Sequence, residues 1–319
     1  MVVSCAGDSV TKTPNPPTST NPISPSVLPS KIPKKTISPP DREQEIKELA
    51  EETTVFISGS GSSPGSGVIF AKSGDTYYVL TAAHVVGTLL GESEDPYELE
   101  TQTDDKKHRI AGAHDYNDRI KTIDKKIDLA VVEFKAEPGQ SYRTAPLANS
   151  IDPDLEVYAF GLNLCQASGK PAKIPQFTRG KICELRSDPK DGYDVRYTNN
   201  IFQGVSGGPI FNSQGQVVAI QAELAYEIGK KYDPNTCETI PKDPNENYSD
   251  GWGVPVVTNF DKIREKLPPN TEINLQKSPK KGTIISKNNC PSKPKHCPPI
   301  LPSGQRPEPN CEKSKIRQE

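Results

Sequence analysis

The sequence predicts an all-β fold, a barrel or a sandwich, in the middle of a 319-residue chain whose two ends add little to it. Three observations carry this expectation. Seven short runs (TTVFIS, SGVIFA, TYYVLTA, DLAVVEF, LEVYAF, GQVVAIQA and WGVPVV) are rich in Val, Ile, Tyr and Phe and are punctuated by Gly, Pro, Asp and Ser. That is the pattern of strands joined by turns. Of the 32 prolines, 19 fall in residues 1–45 and 268–319. Only 33% of the residues are hydrophobic, low for a wholly globular chain, yet with the ends set aside about two hundred residues remain to bury a core.

Taken in order, residues 1–45 form a linker of Pro, Ser, Thr and Lys, typified by TPNPPTSTNPISPS. Such a segment lacks the apolar surface to offset its ordering entropy. DREQEIKELAEE, residues 41–52, switches to strong helix formers and predicts a short helix at the entry of the domain. Residues 46–267 are read as that domain, with the seven β runs inside it. TNFDKIREKL, from Thr258 to Leu267, has a helical pattern that stops at Pro268 and Pro269. From 268 to 319 the composition is a Lys/Pro/Cys tail.

Net charge is −2, with lysines and glutamates interspersed. This gives no electrostatic footprint for nucleic acid or an acidic membrane, and no apolar run reaches transmembrane length. Val2-Val3-Ser4-Cys5 is similar to the end of a bacterial lipoprotein signal, although the apolar core of a signal peptide is missing from it. The expectation is an extracytoplasmic protein that meets a membrane only if Cys5 is lipidated. Seven cysteines are too few for a disulfide-framework mini-protein. Cys165 and Cys183 flank a loop-like stretch and are the candidate pair for an oxidising compartment. The tail run KHCPP, with Cys290, His296, Cys297 and Cys311, fits no zinc spacing, so neither metal nor cofactor is expected.

The candidate chemistry lies in three places. TYYVLTAAHVV is a strand that ends in small residues and then His84, whose imidazole would face a cleft. His108 and His114 are read as residues of polar loops, and His296 as part of the tail. In KIDLAVVEF, Asp128 opens an apolar strand, where a carboxylate can bury itself against an imidazole Nδ1–H. Asp124 is its nearby competitor. In GVSGGP, Gly204 and Ser206 can aim two backbone amides at one point, the geometry of an oxyanion site. Gly207 and Gly208 allow a tight turn beneath an exposed Ser206 hydroxyl, and Pro209 sets the start of the next strand. A serine needs a base to become a nucleophile, and His84 is the candidate.

The order His84, Asp128, Ser206, with the motifs GSGVIF, TAAHVV, DLAVVEF and GVSGGP and the supporting FTRGKI and GWGVPVVTNF, resembles the trypsin-like (chymotrypsin-fold) serine proteases. The likeness is to bacterial single-domain and HtrA-type members in particular, and it spans roughly residues 50–267. It implies a double six-stranded β-barrel with the site in the cleft between barrels. It further implies His84 as general base, Asp128 as its orienter, Ser206 as nucleophile, and the Gly204 and Ser206 amides as oxyanion hole. Substrates would be proteins or peptides. Counting back from the serine places Asn200 at the base of the specificity pocket, while Ala222, Glu223 and Leu224 would pair with substrate backbone, Glu223 favouring basic residues. Val205 stands where digestive relatives carry an aspartate, and no activation-cleavage motif is present, so zymogen processing is not expected. No PDZ-like pattern follows the domain. The competing reading is a protease fold that binds peptides or an envelope partner without catalysis.

Overall fold

The computed structural model describes residues 39–59, 64–87, 97–104, 106–111, 116–167, 170–186, 192–225, 230–234, 236–243 and 249–277. Cys5, His114, His296, Cys290, Cys297 and Cys311 therefore lie outside the described residues.

The amino-terminal half opens with helix α1 (Pro39–Thr53), which covers the expected 41–52 segment. It continues through β1 (Thr54–Ser58), β2 (Gly65–Ser73), β3 (Thr76–Thr81), the single turn α2 (Ala83–Val86), β4 (Tyr97–Thr101), β5 (Lys107–Ala111), the turn α3 (Tyr116–Arg119), β6 (Ile120–Asp124) and β7 (Ile127–Lys135). These strands make one sheet in the order β5-β4-β1-β2-β3-β7-β6, which curls into a half-barrel. Alternation explains its inner face. In β4 the burial pattern is buried at Tyr97, Leu99 and Thr101 and partial between them, as expected of a strand with one face on a core.

The carboxy-terminal half contains β8 (Leu147–Ala148), β9 (Glu156–Ala167), β10 (Lys170–Leu185), β11 (Val195–Ile201), β12 (Pro209–Asn212), β13 (Val217–Leu224), β14 (Lys230–Tyr232), β15 (Thr239–Pro241) and β16 (Ser249–Pro255). Helix α4 (Phe260–Glu265) and the short strands β17 (Glu272–Ile273) and β18 (Leu275–Gln276) follow. The path β12-β9-β10-β11-β16-β13 closes on itself because β13 also pairs with β12, giving a six-stranded barrel. Closure leaves those six strands without a free sheet edge along the paired stretch. Helix α4 is shorter than the expected 258–267 segment, because Asn259 spends its side chain on the Pro255 carbonyl, 2.9 Å away, and turns the chain there.

The largest core lies between the two sheets. Val68, Phe70 and Leu80 meet Phe160, Phe211 and Ile220 there, and α1 adds Ile46, Leu49 and Ala50. The strands β17 and β18 lie beyond the boundary expected at 267. One pairs with β2 of the half-barrel and the other with β8 of the second sheet, so a single short segment straps both.

Two sequence expectations are corrected by register. Cys183 is bonded to Cys237, with the Cα atoms 5.3 Å apart, and not to Cys165. The stretch between Cys165 and Cys183 is not a loop but the β9–β10 hairpin, in whose backbone register Cys165 is paired with Ala172. Eleven residues of strand then separate it from Cys183, roughly 35 Å at strand rise, far beyond disulfide reach. Pro171 and Pro175 disguised this hairpin. They sit where β10 pairs with β9 alone, since β11 joins it only from Ile182 onward, and such a one-sided edge tolerates proline. The second correction is His108, which lies in β5 and is 6% exposed. Its ring nitrogen Nε2 is 2.9 Å from the Tyr142 hydroxyl.

Candidate active site

His84 stands where β3 gives way to α2. Thr81 and Ala82 are fully buried just before it, so the backbone is fixed while the imidazole remains 44% exposed. Asp128, the second residue of β7, grips this corner twice. Its Oδ1 accepts the His84 backbone N–H at 2.8 Å, and its Oδ2 lies 2.7 Å from Nδ1. With the proton on Nδ1, Nε2 is left as the basic nitrogen. The Asp128 carboxyl is only 9% exposed. Burial pushes its pKa up, but the His84 hydrogen bond, the charge of that ring and a further hydrogen bond from Tyr193 outweigh burial and hold it below the usual carboxylate range. Asp124, the competitor, is engaged elsewhere: it accepts the Lys126 N–H at 3.0 Å and the Lys262 ammonium at 3.0 Å.

Ser206 is presented by a loop between β11 and β12. Gly204 has φ +94° and Gly207 has φ +83°, a region that strains any side chain. At Gly207 a Cβ would also fall 2.1 Å from the Ser66 carbonyl oxygen and 2.3 Å from Thr81 Oγ1. The serine loop is thus pressed against the residues just ahead of His84. The loop is pinned by Gly207 N–H to the Gln221 carbonyl at 2.7 Å and Gly208 N–H to the Val205 carbonyl at 2.9 Å. Val205 is 2% exposed and packs against Gly161, where a Cβ would come within 2.7 Å of it. An apolar plug therefore anchors this position of the loop. Among the described residues, the Gly204 and Ser206 amides have no acceptor.

The Ser206 hydroxyl donates to the Ala222 carbonyl at 3.4 Å, and no hydrogen bond joins it to His84 among the described residues. Glu223 is exposed and pairs opposite Trp252, and Leu224 pairs opposite Gly251, both at the end of β13 that begins beside Ser206. Asn200 is exposed near the end of β11. The structure therefore joins His84 to Asp128 and Ser206 to Ala222, and it packs the two pairs through Gly207. Among the described residues no group of three or more His, Cys, Asp or Glu side chains is placed to hold a metal ion.

Sequence reasoning did not find Tyr193, whose hydroxyl donates to Asp128 Oδ2 at 2.9 Å. It sits in the polar stretch DGYDV, which carries no strand or helix period to mark it. With Ala83, His84, Thr122, Ile127 and Asp128 it lines a hollow of about 400 Å³ beside the imidazole.

Residues 65–220 match the model of the trypsin-like peptidase domain. No curated protein matches the chain. Among solved structures, a crystal structure of Deg5 is 17% identical over 72% of this chain and 95% of its own, with a TM-score of 0.49. Rv3671c from M. tuberculosis H37Rv, solved as a serine-to-alanine mutant in an inactive form, is 19% identical over 75% of this chain and 99% of its own, with a TM-score of 0.45.

Proposed function

We propose, from the match of residues 65–220 to the trypsin-like peptidase domain, that the protein is a serine endopeptidase that cleaves protein or peptide substrates through an acyl-enzyme on Ser206. His84 Nε2 takes the Ser206 proton as Oγ attacks the scissile carbonyl, then gives it to the leaving amine. Asp128 holds the imidazole in the Nδ1–H tautomer and stabilises the imidazolium that forms. The amides of Gly204 and Ser206 receive the oxyanion. Water, activated by the same imidazole, then releases the acyl group. No metal or cofactor has a role in these steps.

The observation that carries this reading is the double grip of Asp128 on His84, at 2.8 and 2.7 Å. A carboxylate that merely capped the strand would have no reason to fix both the backbone and the ring of one histidine. Substrate would lie along the end of β13. That strand pairs with β12 only as far as Ile220, so Ala222 to Leu224 offer backbone groups to an added strand. Glu223 biases that strand toward basic side chains. The Cys183–Cys237 disulfide supports an oxidising, extracytoplasmic compartment.

One observation favours a second reading, a peptide-binding module without turnover: the Ser206 hydroxyl is turned onto Ala222 and not onto His84. A rotamer change about χ1 redirects such a hydroxyl at small cost, so the peptidase reading stands first. Casein hydrolysis by the wild type, lost in Ser206→Ala, is the expected result. Peptide binding without cleavage by the wild type would favour the module.

A further inference from the structure

The motif GSG at residues 65–67 has no part in the steps above, yet its serine makes two hydrogen bonds to the nucleophile loop. Ser66 is wholly buried. Its N–H donates to the Ser206 carbonyl at 2.7 Å and its hydroxyl donates to the Gly204 carbonyl at 3.0 Å. The same hydroxyl accepts the Leu162 N–H at 3.0 Å, and the Ser66 carbonyl accepts Thr81 Oγ1 at 2.7 Å. Every polar group it owns is used, on three other segments of the chain.

The flanking glycines make this approach possible. A Cβ at Gly65 would lie 2.6 Å from the Val85 side chain and 2.8 Å from the Ser206 carbonyl, and one at Gly67 would lie 2.5 Å from Val79. Strand β2 is therefore laid flush against both the serine loop and the turn that carries His84.

The consequence is directional. The peptide unit after Gly204 is held at its carbonyl by Ser66 and at its N–H by the Phe202 carbonyl, 3.3 Å away. The unit after Ser206 is held at its carbonyl by Ser66 and at its N–H by Gln221. The N–H groups of Gly204 and Ser206, which belong to the peptide units on either side of the clamped Gly204–Val205 unit, are the ones left without an acceptor among the described residues. Gly204 sits at φ +94°, where glycine passes freely between conformers. Without the clamp on its carbonyl that unit can turn about Gly204, which changes the angle between the two units joined to it and so the aim of the Gly204 and Ser206 N–H groups.

We infer that Ser66 is a positioning residue that aims the two amides at the oxyanion, so that strand β2 of the half-barrel sets the catalytic geometry of the other barrel. This rests on the peptidase reading. Deleting one oxyanion donor outright costs about 100- to 1,000-fold in kcat, and misaiming both is expected to cost somewhat less.

The test compares the wild type with Ser66→Ala, Ser66→Thr and the neighbouring core variant Ile69→Val, using peptide amide hydrolysis, the Ki of a peptide aldehyde and the melting temperature. Ser66→Ala is expected to lower kcat by about 10- to 100-fold with KM within about threefold, and to weaken the aldehyde by a similar factor, because its tetrahedral adduct uses the same amides. Ser66→Thr, which keeps the hydroxyl, recovers most of the loss, and Ile69→Val keeps full kcat whatever its melting temperature. Unchanged kcat and Ki in Ser66→Ala, or losses that Ile69→Val reproduces at an equal melting temperature, overturn the assignment while leaving the peptidase reading intact. A wild type that neither hydrolyses the amide nor binds the aldehyde overturns both.

Discussion

Tyr193 and His84 share one oxygen of Asp128: the phenol reaches Oδ2 at 2.9 Å and the imidazole Nδ1 at 2.7 Å. The phenol comes from the segment before β11 and the aspartate from β7, so this contact spans the two sheets. A nearly buried carboxylate satisfied from both sides has little freedom to rotate, and its imidazole partner inherits that rigidity.

Tyr193→Phe removes one donor and keeps the ring. The expected result is a fall in kcat/KM of about tenfold, in line with loss of a hydrogen bond to a charged group. The folded pKa of Asp128 lies below its ordinary value. Its stabilising contribution is therefore complete above the ordinary carboxylate range and is lost as pH falls through the folded value. Losing Tyr193 raises that folded value, so the acid-unfolding midpoint followed by circular dichroism moves to higher pH. An unchanged midpoint together with unchanged kcat/KM would contradict the role.

Asp194, next in the chain, behaves in the opposite sense. Burial pushes its pKa up to about 6, and its Oδ1 is buried without a hydrogen-bond partner among the described residues. A carboxyl with a raised folded pKa destabilises the fold above that value, and the penalty fades as pH falls from about 6 toward the unfolded value. Asp194→Asn is expected to raise the melting temperature by about 2–4 °C at pH 8, with the gain vanishing near pH 4. Melting curves at the two pH values check it, and a gain that is equal at both would contradict the cause.

The arm made by β14 and β15 is held from two directions. Cys237 is bonded to Cys183 of β10, and the guanidinium of the buried Arg196 lies 3.9 Å over the Tyr232 ring. The disulfide closes a loop with a sequence separation of 54. Replacing both cysteines with serine is expected to cost up to about 4 kcal/mol on the chain-entropy account. Urea unfolding of the two forms measures this. Equal stabilities would show that the Arg196 contacts hold the arm without the disulfide.

Much of the site was legible because each catalytic candidate borders an apolar strand. TYYVLT leads to His84, and LAVVEF follows Asp128, so local pattern alone placed them at strand ends. The loop GVSGGP was legible because positive φ at Gly204 and Gly207 needs glycine. Contacts fixed by register were not legible. Tyr193 reaches Asp128 across 65 positions and Ser66 reaches Gly204 across 138, and nothing local marks either partner. His108 left a signal that was too short to weigh: with Ile110 it forms the buried phase of an alternation whose other phase, Lys107 and Arg109, is charged. The β9–β10 hairpin was hidden by prolines that only a one-sided edge permits.

Activation of Ser206 as a nucleophile by His84 is tested by covalent labelling with a fluorophosphonate, with the modified residue located by mass spectrometry. Labelling of wild type at Ser206, near one group per chain, abolished in Ser206→Ala and slowed by at least about 100-fold in His84→Ala, is the predicted result. Labelling that persists in Ser206→Ala, or a wild type that is not labelled at all, would contradict it.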